Sequence, residues 1–158
     1  MPGEFFRLLL AEFQLPAATF CCYCDPNNRR VIMALYAQTS GPLSTSSGSF
    51  VPIPGLSIPL PIGVDTLAMV VLNVPNPYAT GNDFPGGTFG IAVNGQVSAV
   101  TATFTYNEQN PQSTGRVPTT LVVGVPLGNN PQTVTGVWFG VRGSTVHLDS
   151  PATLSSTI

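Results

Sequence analysis

From Phe50 onward, short runs of β-forming residues are broken by turn residues, and inside the runs apolar and polar positions alternate. A period of two is the pattern of a half-buried strand. Val97, Ala99, Thr101, Thr103 and Thr105 interleave with Ser98, Val100, Ala102, Phe104 and Tyr106 in this way. The runs predict strands near residues 51–53, 57–60, 65–74, 88–94, 97–106, 118–125, 133–140, 144–148 and 153–157. Between them stand Pro75-Asn76-Pro77, Gly81-Asn82-Asp83, Asn94-Gly95, the stretch Asn107 to Gly115, and Gly128-Asn129-Asn130-Pro131. Asn94-Gly95 between two runs predicts a tight hairpin, because both central residues of that turn need a positive φ. Strands at this spacing, with no internal repeat, predict an all-β antiparallel sandwich or jelly roll.

The first 32 residues read differently. They hold Cys21, Cys22 and Cys24, three of the five arginines (Arg7, Arg29, Arg30) and three of the seven acids (Glu4, Glu12, Asp25). Phe5 to Leu15 could form a short amphipathic helix with Phe6, Leu9, Leu10 and Phe13 on one side. Residues 1–32 are therefore expected to be an extension outside the folded unit, with Met33 a plausible start and 33–158 the domain. A docked N-terminal helix is the alternative. Residues 39–50, rich in serine, threonine and glycine, read as a flexible lead-in or an exposed edge.

Composition narrows the function. Charged residues make up 8% of the 158, against roughly 25% in an average domain, while 43% are hydrophobic. That balance suits one sizeable core and excludes disorder. With a net charge of −2 and no basic stripe, nucleic acid is an unsuitable partner. So few charges imply a hydroxyl- and amide-rich surface, or burial of neutral surface by oligomerisation. The three clustered cysteines cannot staple the fold, and a zinc site would need His147 from far along the chain. No metal or cofactor is expected. No apolar run reaches the length of a membrane span, and Leu8-Leu9-Leu10, interrupted by Arg7 and Glu12, makes a poor signal peptide.

Candidate chemistry centres on two residues. Arg116 and Arg142 are the only lysine or arginine after Arg30. Each sits among glycine, serine and threonine, in Gln112-Ser113-Thr114-Gly115-Arg116 and Val141-Arg142-Gly143-Ser144. A guanidinium presents five donors in a rigid fork and suits vicinal hydroxyls or a carboxylate. Each arginine could equally pair with one of Asp65, Asp83, Glu108 and Asp149, and Asp149 with Arg142 is one such pair. A sugar needs hydrogen-bonding groups for its hydroxyls and an aromatic face for its apolar side. Tyr78, Tyr106, Ser113, Thr114, Arg116, Arg142, His147, Asp149 and Ser150 supply these, on or beside turns. Each also has a structural alternative: rim tyrosines, a Ser-Thr turn, a surface ion pair. Catalysis is poorly supported. Ser144 or Ser150 with His147 and Asp149 shares one strand region, where His147 and Asp149 cannot orient each other as a triad requires.

Several stretches resemble the TNF-like N-terminal lectin domain of a Burkholderia superlectin. They are Ile53 to Leu56, the fifteen-residue block Leu72 to Gly86 with Asn76-Pro77-Tyr78-Ala79-Thr80-Gly81-Asn82 at its centre, Phe104-Thr105-Tyr106, Ser113 to Arg116, Val141 to Ser144, and His147 to Ser150. The resemblance runs in order from about Met33 to Ile158. It implies a TNF-like jelly roll assembled as a homotrimer, without metal or catalysis, binding fucosylated glycans between protomers. One side of the site would be Tyr78, Ser113, Thr114 and Arg142. Thr105, Tyr106 and Arg116 of the adjacent protomer would form the other. His147, Asp149 and Ser150 would touch a further sugar. Thr88 stands where the family has a site tyrosine, and Gln112 replaces an acid, so the ligand range is expected to differ. The implied partners are fucosylated oligosaccharides and further copies of the chain, not a membrane. The competing expectation is a structural or adhesive trimer of the same fold with no sugar site.

Overall fold

Alternation of buried and exposed side chains carries most of the chain into antiparallel strands. The structure, a computed structural model, describes residues 21–24 and 31–158. Its strands are β1 (Cys21–Cys24), β2 (Val31–Gln38), β3 (Leu43–Thr45), β4 (Val51–Leu60), β5 (Leu67–Val74) and β6 (Pro77–Thr80). They continue as β7 (Gly86–Val93), β8 (Gln96–Thr105), β9 (Thr119–Pro126), β10 (Gln132–Val141), β11 (Thr145–Leu148) and β12 (Thr153–Thr157). No helix occurs among the described residues, and the helix expected over Phe5–Leu15 lies outside them.

Two sheets stack face to face. One has the order β1-β2-β12-β5-β9 and the other β4-β10-β7-β8, while β3-β11-β6 form a smaller third sheet. All pairings are antiparallel. The long strands cross repeatedly: β2 in the first sheet, β4 in the second, β5 back in the first, β7 and β8 in the second, β9, β10 and β12 alternating again. The expected all-β antiparallel sandwich is present, and this crossing pattern fits a jelly roll.

The core lies between the two sheets. Ala68, Val70, Leu72 and Val74 turn inward at every second place of β5. They meet Ile53, Leu56, Ile58, Phe89, Ile91, Val134 and Trp138 from the opposite sheet. Each such side chain, fully removed from water, contributes about 1.5–3 kcal/mol. The outward face of the first sheet is also apolar in part. Leu67, Met69 and Val122 are 53%, 43% and 50% exposed there, with Val71 paired to Val122 between them.

Some elements differ from expectation. Residues 51–53 and 57–60 belong to one strand, β4, which bulges around Pro54-Gly55: β10 pairs first with Ser57 and then with Pro52. Gly55 takes a φ of 83° at the bulge, a conformation open to glycine at little steric cost. The supposed lead-in contributes β3, and Thr39 is buried with its hydroxyl accepting from Ala152 N at 2.9 Å. β1 pairs with residues 31–34 at the edge of the first sheet.

Charge is segregated from the sheets. Neither main sheet carries an Asp, Glu, Lys, Arg or His. Asp83, Glu108, Arg116, Arg142 and Asp149 all lie in the connections β6–β7, β8–β9, β10–β11 and β11–β12, with His147 on β11. These gather at one end of the sandwich. Asp65 lies at the other end, where Leu127 N donates to Thr66 O and Gly63 N to Gly128 O.

Candidate functional site

The register of β6 on β11 sets the first contact. Tyr78 lies directly opposite His147, and their rings stack with centroids 4.6 Å apart at 14°. His147 Nε2 is fixed by the Thr80 hydroxyl at 3.0 Å. The long β8–β9 connection then folds back over β6. The Tyr106 hydroxyl accepts from Ala79 N at 3.3 Å and donates to Gly115 O at 2.6 Å. One residue beyond Arg116, Val117 N donates to Pro77 O at 3.0 Å. Arg116 is thus bracketed by two anchors, and its Cζ stands 3.8 Å from the Tyr78 ring centroid. Its Nη2 donates to Asp149 Oδ2 at 2.5 Å. Both side chains of that pair are about two-fifths exposed (42% and 43%), so the ion pair contributes at most about 1 kcal/mol. Beside it, Asn76 Nδ2 donates to Ser150 Oγ at 2.8 Å.

Tyr78, Tyr106, Arg116, His147, Asp149 and Ser150 are therefore neighbours, drawn from separate segments of the chain. Asp149 pairs with Arg116 and not with Arg142, because the Tyr106 anchor carries Arg116 to that side of β6. The same chain also brings Arg116 onto Tyr78, two residues the resemblance placed on opposite sides of the site. His147 meets Thr80 while Asp149 meets Arg116, so the residues of the triad drawn from the sequence are committed elsewhere.

Tyr106 holds this arrangement together. Burial pushes its phenol above the usual 10.0, and Tyr78 adds to the rise, while the Ala79 N–H and the Arg116 charge oppose it. The hydroxyl thus stays protonated at neutral pH and able to donate to Gly115. A raised folded value means that this contribution to stability is full below the ordinary phenol value and is lost as pH rises through the folded one. Tyr106→Phe is expected to lower stability by about 1–2 kcal/mol and to remove part of the alkaline destabilisation. Urea denaturation at neutral pH and above pH 10.0 compares the two proteins; identical stabilities and alkaline profiles would contradict the anchoring role.

Arg142 stands apart from this cluster. It occupies the tip of the β10–β11 turn, closed by Ser144 N donating to Val141 O at 3.0 Å. Arg142 and Gly143 both take positive φ, 51° and 71°. Below the tip, the buried Ser144 hydroxyl accepts from Gly86 N at 3.1 Å. The Arg142 guanidinium lies 5.5 Å from the Phe84 ring centroid and forms no ion pair among the described residues. Thr105 ends β8, exposed and opposite Gly86. Ser113 lines a cleft of about 150 Å³ with Tyr106, Asn107, Glu108 and Pro111. Thr114, half-buried, precedes the anchored Gly115. Among the described residues, no side-chain hydrogen bond or ion pair engages Thr105, Ser113, Thr114 or Arg142. Thr88 is different: it is 4% exposed and shares a 2.8 Å hydrogen bond with Thr103.

Sequence reasoning did not single out Asn76, Thr80, Asn107 or Pro111, and it weighed Glu108 as an acid without placing it in the site. Glu108 carried one usable signal, being the only acid between Asp83 and Asp149. No three His, Cys, Asp or Glu side chains converge as metal ligands among the described residues. A family model matches residues 39–157: that of the Bc2l-C N-terminal domain, the TNF-like domain of a Burkholderia cenocepacia lectin. Comparison with curated proteins gives no match.

Proposed function

Because the chain belongs to the Bc2l-C N-terminal domain family, a lectin-type family, we propose that it binds fucosylated glycans between protomers of a TNF-like homotrimer, without catalysis. The observation that carries this is the set of unengaged polar groups at the charged end. Arg142, Ser113, Thr114 and Thr105 have donors and acceptors that the fold does not consume, beside aromatic rings that it holds rigid. A sugar ring offers that combination its hydroxyls and its apolar face. The fucose preference comes from the family resemblance.

Assembly into a trimer has its own support. Arg142 makes no hydrogen bond, ion pair or ring contact with the Arg116 cluster among the described residues, so a ligand contacting both would be reached more simply from two protomers. The exposed Leu67, Met69 and Val122 form an apolar surface with no charge in its sheet, which suits burial against a second copy. Single sugar sites are weak because water competes for every hydroxyl, and three on one particle raise the effective affinity.

A glycan array with the full chain, run beside sedimentation of the same sample, tests both parts. The expected result is a trimer whose binding is confined to fucosylated glycans. Met69→Glu is expected to shift the protein to monomer and to remove its array signal. A folded trimer that binds no glycan would favour the structural, adhesive alternative, and a monomer that binds fucose fully would remove the inter-protomer site.

A further inference from the structure

We infer that the cleft beside Tyr106, which shares Tyr106 and Ser113 with the proposed fucose site, extends that site to a further sugar and that Glu108 decides which glycans enter it; this rests on the lectin function proposed above. The cleft is held in shape at both ends of its wall. Tyr106 N donates to Pro85 O at 2.9 Å, and Phe84 N donates to Gln109 O at 3.3 Å, so residues 106–109 are clamped to the β6–β7 connection. Its lining is Tyr106, Asn107, Glu108, Pro111 and Ser113. Tyr106 and Pro111 give an apolar floor, Asn107 and Ser113 give groups that both donate and accept, and Glu108 gives an acceptor that cannot donate when ionised. Its volume is about 150 Å³, and a sugar ring entering it would displace water.

No cation lines the cleft, and Arg116, on the far side of the Tyr106 anchor, is committed to Asp149 and Tyr78. The Glu108 carboxylate has no hydrogen-bond or ion-pair partner among the described residues. It therefore remains free to accept from adjacent hydroxyls of a neutral sugar. The same charge disfavours a ring bearing a carboxylate or sulfate, since no cation is among the residues lining the cleft. The ligand class is thus a fucosylated glycan whose next sugar is neutral and rich in vicinal hydroxyls. Sialylated and sulfated versions are disfavoured.

The test titrates the full wild-type chain, Glu108→Gln and Glu108→Lys with three probes: fucose, a neutral fucosylated trisaccharide and its sialylated counterpart. Fucose itself is expected to bind all three proteins equally. Wild type should prefer the neutral trisaccharide by about tenfold, with the preference weakening as salt rises. Glu108→Gln should narrow that ratio and Glu108→Lys should cancel or invert it. An unchanged ratio in Glu108→Lys overturns the subsite, as does a loss of fucose binding equal to that of the trisaccharide. If wild type binds none of the three probes, the lectin function itself fails and the subsite falls with it.

Discussion

Arg142→Ala is expected to reduce affinity for fucosylated glycans roughly a hundredfold, the effect of losing charge-assisted hydrogen bonds worth about 3 kcal/mol in all. The guanidinium has no acid partner to leave behind among the described residues, so its removal strands nothing inside the protomer. Arg116 makes a less clean probe, since its loss would uncover Tyr78 and free Asp149. The backbone provides a control of opposite sign. Arg142 sits at a φ of 51°, in the left-handed region that is unfavourable for most L-residues by about 1–2 kcal/mol. Asparagine tolerates that region better than arginine. Arg142→Asn should therefore keep or raise the thermal midpoint while losing affinity as alanine does. Calorimetric titration and a thermal scan on the same samples read both quantities. Wild-type binding by either variant would remove Arg142 from the site.

The largest effect on folding is expected at Gly140. A Cβ there would lie 1.9 Å from the Ser144 carbonyl oxygen and 2.9 Å from its carbon. Neither partner is free to retreat. Gly140 N donates to Ser47 O at 2.8 Å, Ser144 N closes the turn onto Val141 O, and the Ser144 hydroxyl receives Gly86 N. Gly140→Ala should therefore open the β10–β11 turn and destabilise the chain by about 3 kcal/mol or more, lowering the thermal midpoint by on the order of 10 °C. Gly143, three residues on, has φ +71° and open space around its Cβ position. Gly143→Ala should be milder, about 1 kcal/mol from backbone strain alone. Equal losses in the two variants would mean that the overlap at Gly140 relaxes at little cost.

Much of the fold was legible because local signals agreed with tertiary demands. Asn94 and Gly95 take φ of 50° and 81° and join Val93 to Gln96 in the expected hairpin. The alternation expected over 97–106 holds from Thr101 to Tyr106, with Thr101, Thr103 and Thr105 facing solvent, while Ala99, Val100 and Thr101 are exposed in a row where β8 slips register against β7. β6 was missed because Pro75-Asn76-Pro77 is strong turn chemistry, yet Pro77 opens a strand whose register on β11 decides where Tyr78 points. β2 and β3 were obscured by a compositional break and a serine-rich stretch, and only partners distant in sequence, Ala152 and His147 among them, make strands and anchors of them.

The candidate site followed the same division. Residue types and turn locations singled out Arg116, Arg142, Tyr78 and Tyr106. Which acid meets which arginine was not readable, because that depends on Tyr106 reaching Gly115 and Ala79 across the loop. Nor could composition show that Thr88, expected to stand where the family has a tyrosine, spends its hydroxyl on Thr103 inside the sheet.

The separation of charged connections from uncharged sheets also shapes how such a protein can diverge. Under the proposed lectin function, substitutions in the 106–118 and 142–144 connections would change what is recognised without altering a strand, and changes within the core would leave the proposed binding groups in place. Specificity and durability can thus be inherited and altered almost independently. The tie between them narrows to a few anchors, chiefly Tyr106 and Ser144. A lineage that kept those two residues would be free to exchange Glu108 or Gln112 as the glycans it encountered changed.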